Sequence, residues 1–322
     1  MHESQSSPSH KRHARFHLKD VPYHIMSKTI RGQFLLVPKK HMSSLCAGVV
    51  AKAQLNWPDI KLYGFAFMSN HFHLMLSGES REVSTFVGFI KREISRRLGQ
   101  KYKLSGPLWH SRYVSTALPT FESQEECLSY ILAQGVKEDL VEHPCQWPGL
   151  HCARALLHHQ PITGSWFDGT LYGKAKHNRE RNESHPPVKK SEFYLELTIK
   201  MTPIPPWQQL NKEAQEERAA ALVQALMDEA TARRQKSGIK PAGRKKVIRM
   251  AISRCVAPPT PPWWEKRRRQ ITAWARIGDA LTQEYLRCYW LFQRAFQAAS
   301  QCLRRFEEAD FPEDSWLPSH YK

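Results

Sequence analysis

The sequence predicts an α+β fold: a ferredoxin-like antiparallel sheet with helices on one face, followed by a mainly helical C-terminal region. Two observations predict it. Between residues 21 and 118, segments of strand and helix periodicity follow one another in the order β-α-β-β-α-β. Beyond about residue 150, proline clusters and charged stretches separate two long helical patterns.

Residues 21–30 (VPYHIMSKTI) read as the first strand, and residues 40–56 as a helix with an apolar face at Leu45, Val49, Ala53 and Leu55. Residues 60–67 (IKLYGFAF) and 70–77 (NHFHLMLS) read as a strand pair joined by a tight turn at Ser69-Asn70. From 82 to 103 a helix carries the apolar stripe Val83, Phe86, Val87, Ile90, Ile94 and Leu98, opposite Lys91, Arg92, Arg96, Arg97 and Lys101. Residues 108–118 read as the fourth strand. Residues 122–134 read as an added helix that buries Cys127, Leu128, Ile131 and Leu132, with Tyr130 and Gln134 on another side.

The remaining boundaries are a disordered basic tail over 1–17, a catalytic domain over 18–155, a linker over 156–206 and a helical region over 207–322. Within the linker, residues 192–201 alternate cleanly enough for a short strand, whereas His158-His159 has no evident partner. Helices are expected over 207–236 and 263–308, the second opening on Trp263-Trp264 and the run Lys266-Arg267-Arg268-Arg269, a further candidate nucleic-acid contact.

The 322 residues carry a formal net charge of +18, which favours a polyanionic partner, most simply nucleic acid. No apolar run approaches the roughly 20 residues of a membrane span. The first 14 residues are polar, so no secretory signal is expected there. The seven cysteines are scattered and never form C-x-x-C. That pattern argues against a disulfide framework or a zinc ribbon and for a reducing, cytoplasmic setting.

The chemistry centres on His71 and His73. With 16 histidines in the chain, about one H-x-H spacing arises by chance, so the pair alone carries little weight. On a strand, however, both imidazoles share one face while Phe72, Leu74 and Leu76 share the other. That is a two-point grip on a metal ion. Tyr130 and Gln134, four apart on a helix, share a face as well. Gln134 supplies an amide oxygen as third ligand, and Tyr130 a phenol that a nearby cation activates as nucleophile. Two imidazoles and an amide suit Mn²⁺ better than Mg²⁺, which prefers oxygen.

Several segments carry a family resemblance: Tyr23-His24-Ile25, Met68-Ser69-Asn70-His71-Phe72-His73-Leu74-Met75-Leu76, Leu108-Trp109-His110-Ser111-Arg112-Tyr113, Tyr130-Ile131-Leu132-Ala133-Gln134, residues 136–141 and Trp147-Pro148. Over roughly residues 15–152 the chain resembles the single-tyrosine HUH (His-hydrophobic-His) transposases and, within them, the REP-associated tyrosine transposases. The resemblance implies Mg²⁺ or Mn²⁺ on His71, His73 and Gln134, and single-stranded DNA, often beside a hairpin, as substrate. It implies that Tyr130 forms a 5′-phosphotyrosine and releases a 3′-OH. Monomers and dimers that share active-site helices are both known in such enzymes. Two departures stand out: Ser69 where the branch has proline, and Gln134-Gly135 where it has Asn-Pro.

Lys91, Arg92, Arg96 and Arg97 are the candidate phosphate contacts, with Arg112 beside Trp109 and Tyr113 nearer the cleavage site. Two other functions compete with strand transfer: a non-catalytic single-stranded nucleic-acid binder on the same fold, and a metal-dependent hydrolase in which Tyr130 is a bystander.

Overall fold

The computed structural model describes residues 13–104, 106–181, 187–251, 272–274 and 279–315. Its centre is a four-stranded, fully antiparallel sheet in the order β2-β3-β1-β4. The strands are β1 (Tyr23–Lys28), β2 (Lys61–Phe67), β3 (His71–Ser77) and β4 (Val114–Ala117). With α1 (Lys40–Asn56) and α2 (Ser80–Tyr102) as crossovers, this is the ferredoxin-like arrangement that the sequence predicts.

Cross-strand partners share a face, so the pairs Phe65–Leu74 and Phe67–Phe72 define one side of the sheet. α1 and α2 cover that side. All six members of the predicted α2 stripe are fully buried, each contributing about 1.5–3 kcal/mol. Trp109 links the layers, its ring edge on Phe72 and its indole N–H on the Lys91 carbonyl. The expected α1 face is only partly right. Leu45 is half-buried and Leu55 lies exposed, while Met42, Cys46, Val50 and Ala51 join Val49 and Ala53 inside. α1 is enclosed from two directions, so no single stripe describes it.

The second cover of α1 corrects the linker expectation for 156–206. After α3 (Phe121–Leu132) and α4 (Ala153–His158), strands β5 (Ile162–Phe167) and β6 (Tyr194–Ile199) form an antiparallel pair against α1, with α5 (Gly169–Arg181) between them. The expected strand at 192–201 is β6. Backbone meets backbone here: a Cβ on Gly48 would lie 2.2 Å from the Ser165 carbonyl oxygen, and one on Gly164 2.2 Å from the Gly48 nitrogen. Gly48→Ala is therefore expected to lose about 2 kcal/mol despite alanine's better helix propensity. An unchanged urea midpoint would contradict this contact.

α3 lies on the opposite face of the sheet, with Leu128 and Ile131 over Gly64. A side chain at Gly64 would hold the helix off. Beyond it, α6 (Lys212–Ser237) packs on α3 and α4, and α7 (Arg244–Arg249) adds Val247 to a small core with Met68, Val136, Val141, Trp147 and Ala230. α8 (Ala280–Arg304) closes on the N-terminal segment. Gln293 makes two hydrogen bonds to Ala14, and Phe16 sits among Tyr285, Tyr289 and Phe292. Residues 13–17, expected as tail, are thus packed, because the aromatic face of α8 gives Phe16 and the buried His17 somewhere to go. The Trp263-to-Arg269 contact lies outside the described residues. No helix among the described residues is long and apolar enough to cross a membrane.

Candidate functional site

Strand register places the site. His71 pairs with Lys28 and His73 with Met26, while His24 pairs with Met75 and Thr116. Alternation then puts His24, Lys28, His71 and His73 on the face that α3 covers. α3 is fixed at its start by a capping box between Thr120 and Ser123. It ends at Leu132, and Gln134 falls in the turn that follows. The Gln134 amide is still held to the helix, with Nε2 donating to the Tyr130 carbonyl at 3.0 Å. Oε1 therefore faces the histidines.

Hydrogen bonds also set the imidazole of His71. Asn70 Nδ2 donates to the Gly32 carbonyl at 3.2 Å, which turns Asn70 Oδ1 toward His71 Nδ1 at 2.7 Å. Oδ1 only accepts, so Nδ1 carries the proton and Nε2 a lone pair. That lone pair lies 3.4 Å from Gln134 Oε1. Two acceptors face each other across the space a cation would fill. His73 Nδ1 lies 2.8 Å from His24 Nε2, and His73 Nε2 is buried without a hydrogen-bond partner among the described residues. With the proton on Nδ1, Nε2 is a second free lone pair. A buried orphan of this kind costs about 1–3 kcal/mol unless something occupies it.

Burial holds all three imidazoles neutral. Desolvation, with a smaller push from Lys137, lowers the His24 pKa to about 4. Desolvation does the same to His71, also about 4, where the Gln134 contact opposes it and Lys28 and Lys137 add to it. His73 is pushed well down by desolvation, then by its histidine neighbours and the two lysines. Neutral imidazole is the form that binds a metal. The residues thus fit a divalent ion as two nitrogens and one amide oxygen. Among the described residues, no group of three or more His, Cys, Asp or Glu side chains could hold one, and the third histidine, His24, spends its Nε2 on His73 Nδ1.

Tyr130 stands beside this pair. Its ring is edge-on to His73 at 5.5 Å and to His24 at 5.8 Å, with the Lys137 ammonium 3.6 Å from its centroid. It is 36% exposed, at the mouth of a cleft of about 700 Å³ between α3 and α6. Trp274 completes the wall. Residues 272–274 attach to the edge of β4 through hydrogen bonds to Ala117, which sets the indole 5.7 Å from the Tyr130 ring.

His71, His73, Gln134 and Tyr130 therefore lie together. The basic candidates do not join them. Lys91, Arg92, Arg96 and Arg97 lie on α2, across the sheet. Arg97 is committed internally: it pairs with Glu93, donates to the Phe167 carbonyl and stacks on Trp166 at 4.1 Å. Arg96 also pairs with Glu93, and Lys91 donates to the Ser111 carbonyl. Arg92 and Arg112 are exposed, Arg112 near the His13 carbonyl. The cations near the site are instead Lys28 and Lys137. Strand alternation signals Lys28. Lys137 falls in the 136–141 segment that carries the resemblance, but its place on the Tyr130 ring, like that of Trp274, depends on a loop path.

Residues 17–134 match the family model described as "Transposase IS200 like". The chain is similar to a solved REP-associated tyrosine transposase bound to a REP hairpin, at 16% identity over 44% of this chain and 82% of that one, with a TM-score of 0.38. It is also similar to a Deinococcus radiodurans R1 protein assigned to the transposases, at 17% identity over 38% of this chain and 98% of that one, with a TM-score of 0.27. No curated protein matches. The similarity to the IS200-like transposases thus covers residues 17–134, less than half of the chain.

Proposed function

We propose that this protein is a DNA strand transferase that cuts and rejoins single-stranded DNA beside hairpins, with Tyr130 as nucleophile. The observation that carries the reading is the approach of the Tyr130 ring, 5.5 Å from His73, to two imidazoles, of which His71 presents Nε2 to Gln134 Oε1 at 3.4 Å and His73 holds a buried Nε2 with no hydrogen-bond partner among the described residues. The Tyr130 oxygen attacks the scissile phosphorus, and the P–O3′ bond breaks. The phenol loses its proton and the departing 3′-oxygen gains one, which leaves a 5′-phosphotyrosine and a free 3′-OH. Reversal by another 3′-OH rejoins the strand with the ester's energy retained. A divalent ion, Mn²⁺ or Mg²⁺, held by His71, His73 and Gln134 would neutralise charge on the phosphoryl oxygens. His24 and Asn70 fix the ring orientations that such binding needs.

Lys91, Arg92, Arg96 and Arg112 would hold flanking DNA that passes round the sheet edge, with Arg97 contributing through the fold. Incubation with a single-stranded hairpin oligonucleotide and Mn²⁺ is expected to give a covalent protein–DNA species. That species should require the metal and vanish in Tyr130→Phe. Binding without an adduct under every divalent metal would support a non-catalytic binder, and cleavage that survives Tyr130→Phe would support a hydrolase.

A further inference from the structure

We propose that Lys137 is a catalytic residue: its ammonium, seated on the Tyr130 ring, takes a non-bridging oxygen of the phosphate that Tyr130 attacks. The inference rests on the reading of Tyr130 as nucleophile. Its first support is position. Lys137 Nζ lies 3.6 Å from the centroid of the Tyr130 ring, which in turn stands edge-on to His73 at 5.5 Å. A cation so close to a cation-binding pair is electrostatically unfavourable unless an anion sits between them. A phosphodiester is that anion.

The second support is how firmly the chain fixes this lysine. Gly135 turns the chain at φ +88°, and its N–H donates to Glu138 Oε2 at 2.6 Å. A Cβ there would meet Trp147 at 3.0 Å. Two residues after Lys137, Asp139 receives Arg233 at 2.7 Å and Arg234 at 2.8 Å. Arg234 also donates to the carbonyls of Val136 and Val141. The residues flanking Lys137 are thus tied to α6, which lies wholly outside the segment matched by the family model. The competing partner is Glu138, whose Oε1 lies 3.7 Å from Nζ, with both side chains about a third exposed. Exposed pairs of this geometry contribute little and do not explain why the ammonium rests on the phenol.

In the reaction Lys137 keeps its proton. The Tyr130 oxygen bonds to phosphorus, the P–O3′ electron pair leaves with the 3′-oxygen, and the phenol proton and the new hydroxyl proton exchange with water. The ammonium meets charge that builds on the phosphoryl oxygens, a contribution expected to be about 100-fold in rate.

The test uses the full chain, saturating single-stranded hairpin DNA and Mn²⁺, and measures the single-turnover rate of adduct formation. Lys137→Ala is expected to slow it by about 100-fold, with DNA affinity in a Tyr130→Phe background changed much less. Lys137→Arg should retain most of the rate, and added ethylamine should partly restore Lys137→Ala. Lys137→Met keeps the aliphatic stem on the ring, so a loss in that variant isolates the charge if Lys137→Ala folds poorly. Wild-type rates in both Ala and Met variants would overturn the proposal, as would equal losses in Ala and Arg without amine rescue. Absence of an adduct in the wild-type protein would instead remove the Tyr130 reading itself, and this proposal with it.

Discussion

His73→Ala is expected to lower the rate of phosphotyrosine formation by about a thousandfold, equivalent to roughly 4 kcal/mol of transition-state stabilisation. Removing His73 deletes a nitrogen that has no hydrogen-bond partner among the described residues and leaves His71 Nε2 and Gln134 Oε1 to hold the proposed ion alone. His24→Ala should have a different signature. It leaves all three proposed ligands in place but frees the His73 ring to rotate, so metal affinity should fall by about 10- to 100-fold and excess Mn²⁺ should restore the rate. Titration of Mn²⁺ against adduct yield separates the two. Full activity of His73→Ala at ordinary metal concentrations would mean that the pair is packing and not a metal grip.

Acidification from pH 7.5 to 5.5 is expected to cost the fold most of its stability. Besides the site pair, His17 is pushed down to about 3 and His151 to about 4, in both cases chiefly by desolvation. In the unfolded chain each returns to a pKa near 6.5. Between the folded and unfolded values the unfolded state binds more protons, so stability is full above about pH 6.5 and falls as pH falls below it. Each such histidine loses about 1.4 kcal/mol by pH 5.5. His17, His24, His71 and His151 together then approach the whole stability of an ordinary domain. Urea midpoints at the two pH values measure this directly. Equal midpoints would mean that these imidazoles are already hydrated.

The sheet was legible because its signals are local. The α2 stripe, the strand alternation around His71 and the turn at Ser69-Asn70 each follow from neighbours within a few residues, and each appears in the structure. The convergence of Tyr130 and Gln134 on the histidines was legible from spacing and resemblance together. What escaped depends on partners distant in sequence. Gly164 and Gly48 are 116 residues apart, and glycine in a polar stretch reads as loop until the helix it touches is known. The same holds for His24, whose role needs the β1–β3 register, and for Trp274, which arrives at the β4 edge from the C-terminal region. The charges on α2 were visible as a basic face, but Glu93 sits among them as an internal counter-ion for Arg96 and Arg97.

The meeting of Tyr130 with His73 inside one polypeptide has a kinetic consequence. Every molecule carries both halves of the proposed cleavage apparatus. With DNA saturating, the fraction of protein converted to adduct per unit time should therefore stay constant on serial dilution, with unimolecular order in protein down to the lowest detectable level. Mixing Tyr130→Phe with His73→Ala protein should give no complementation.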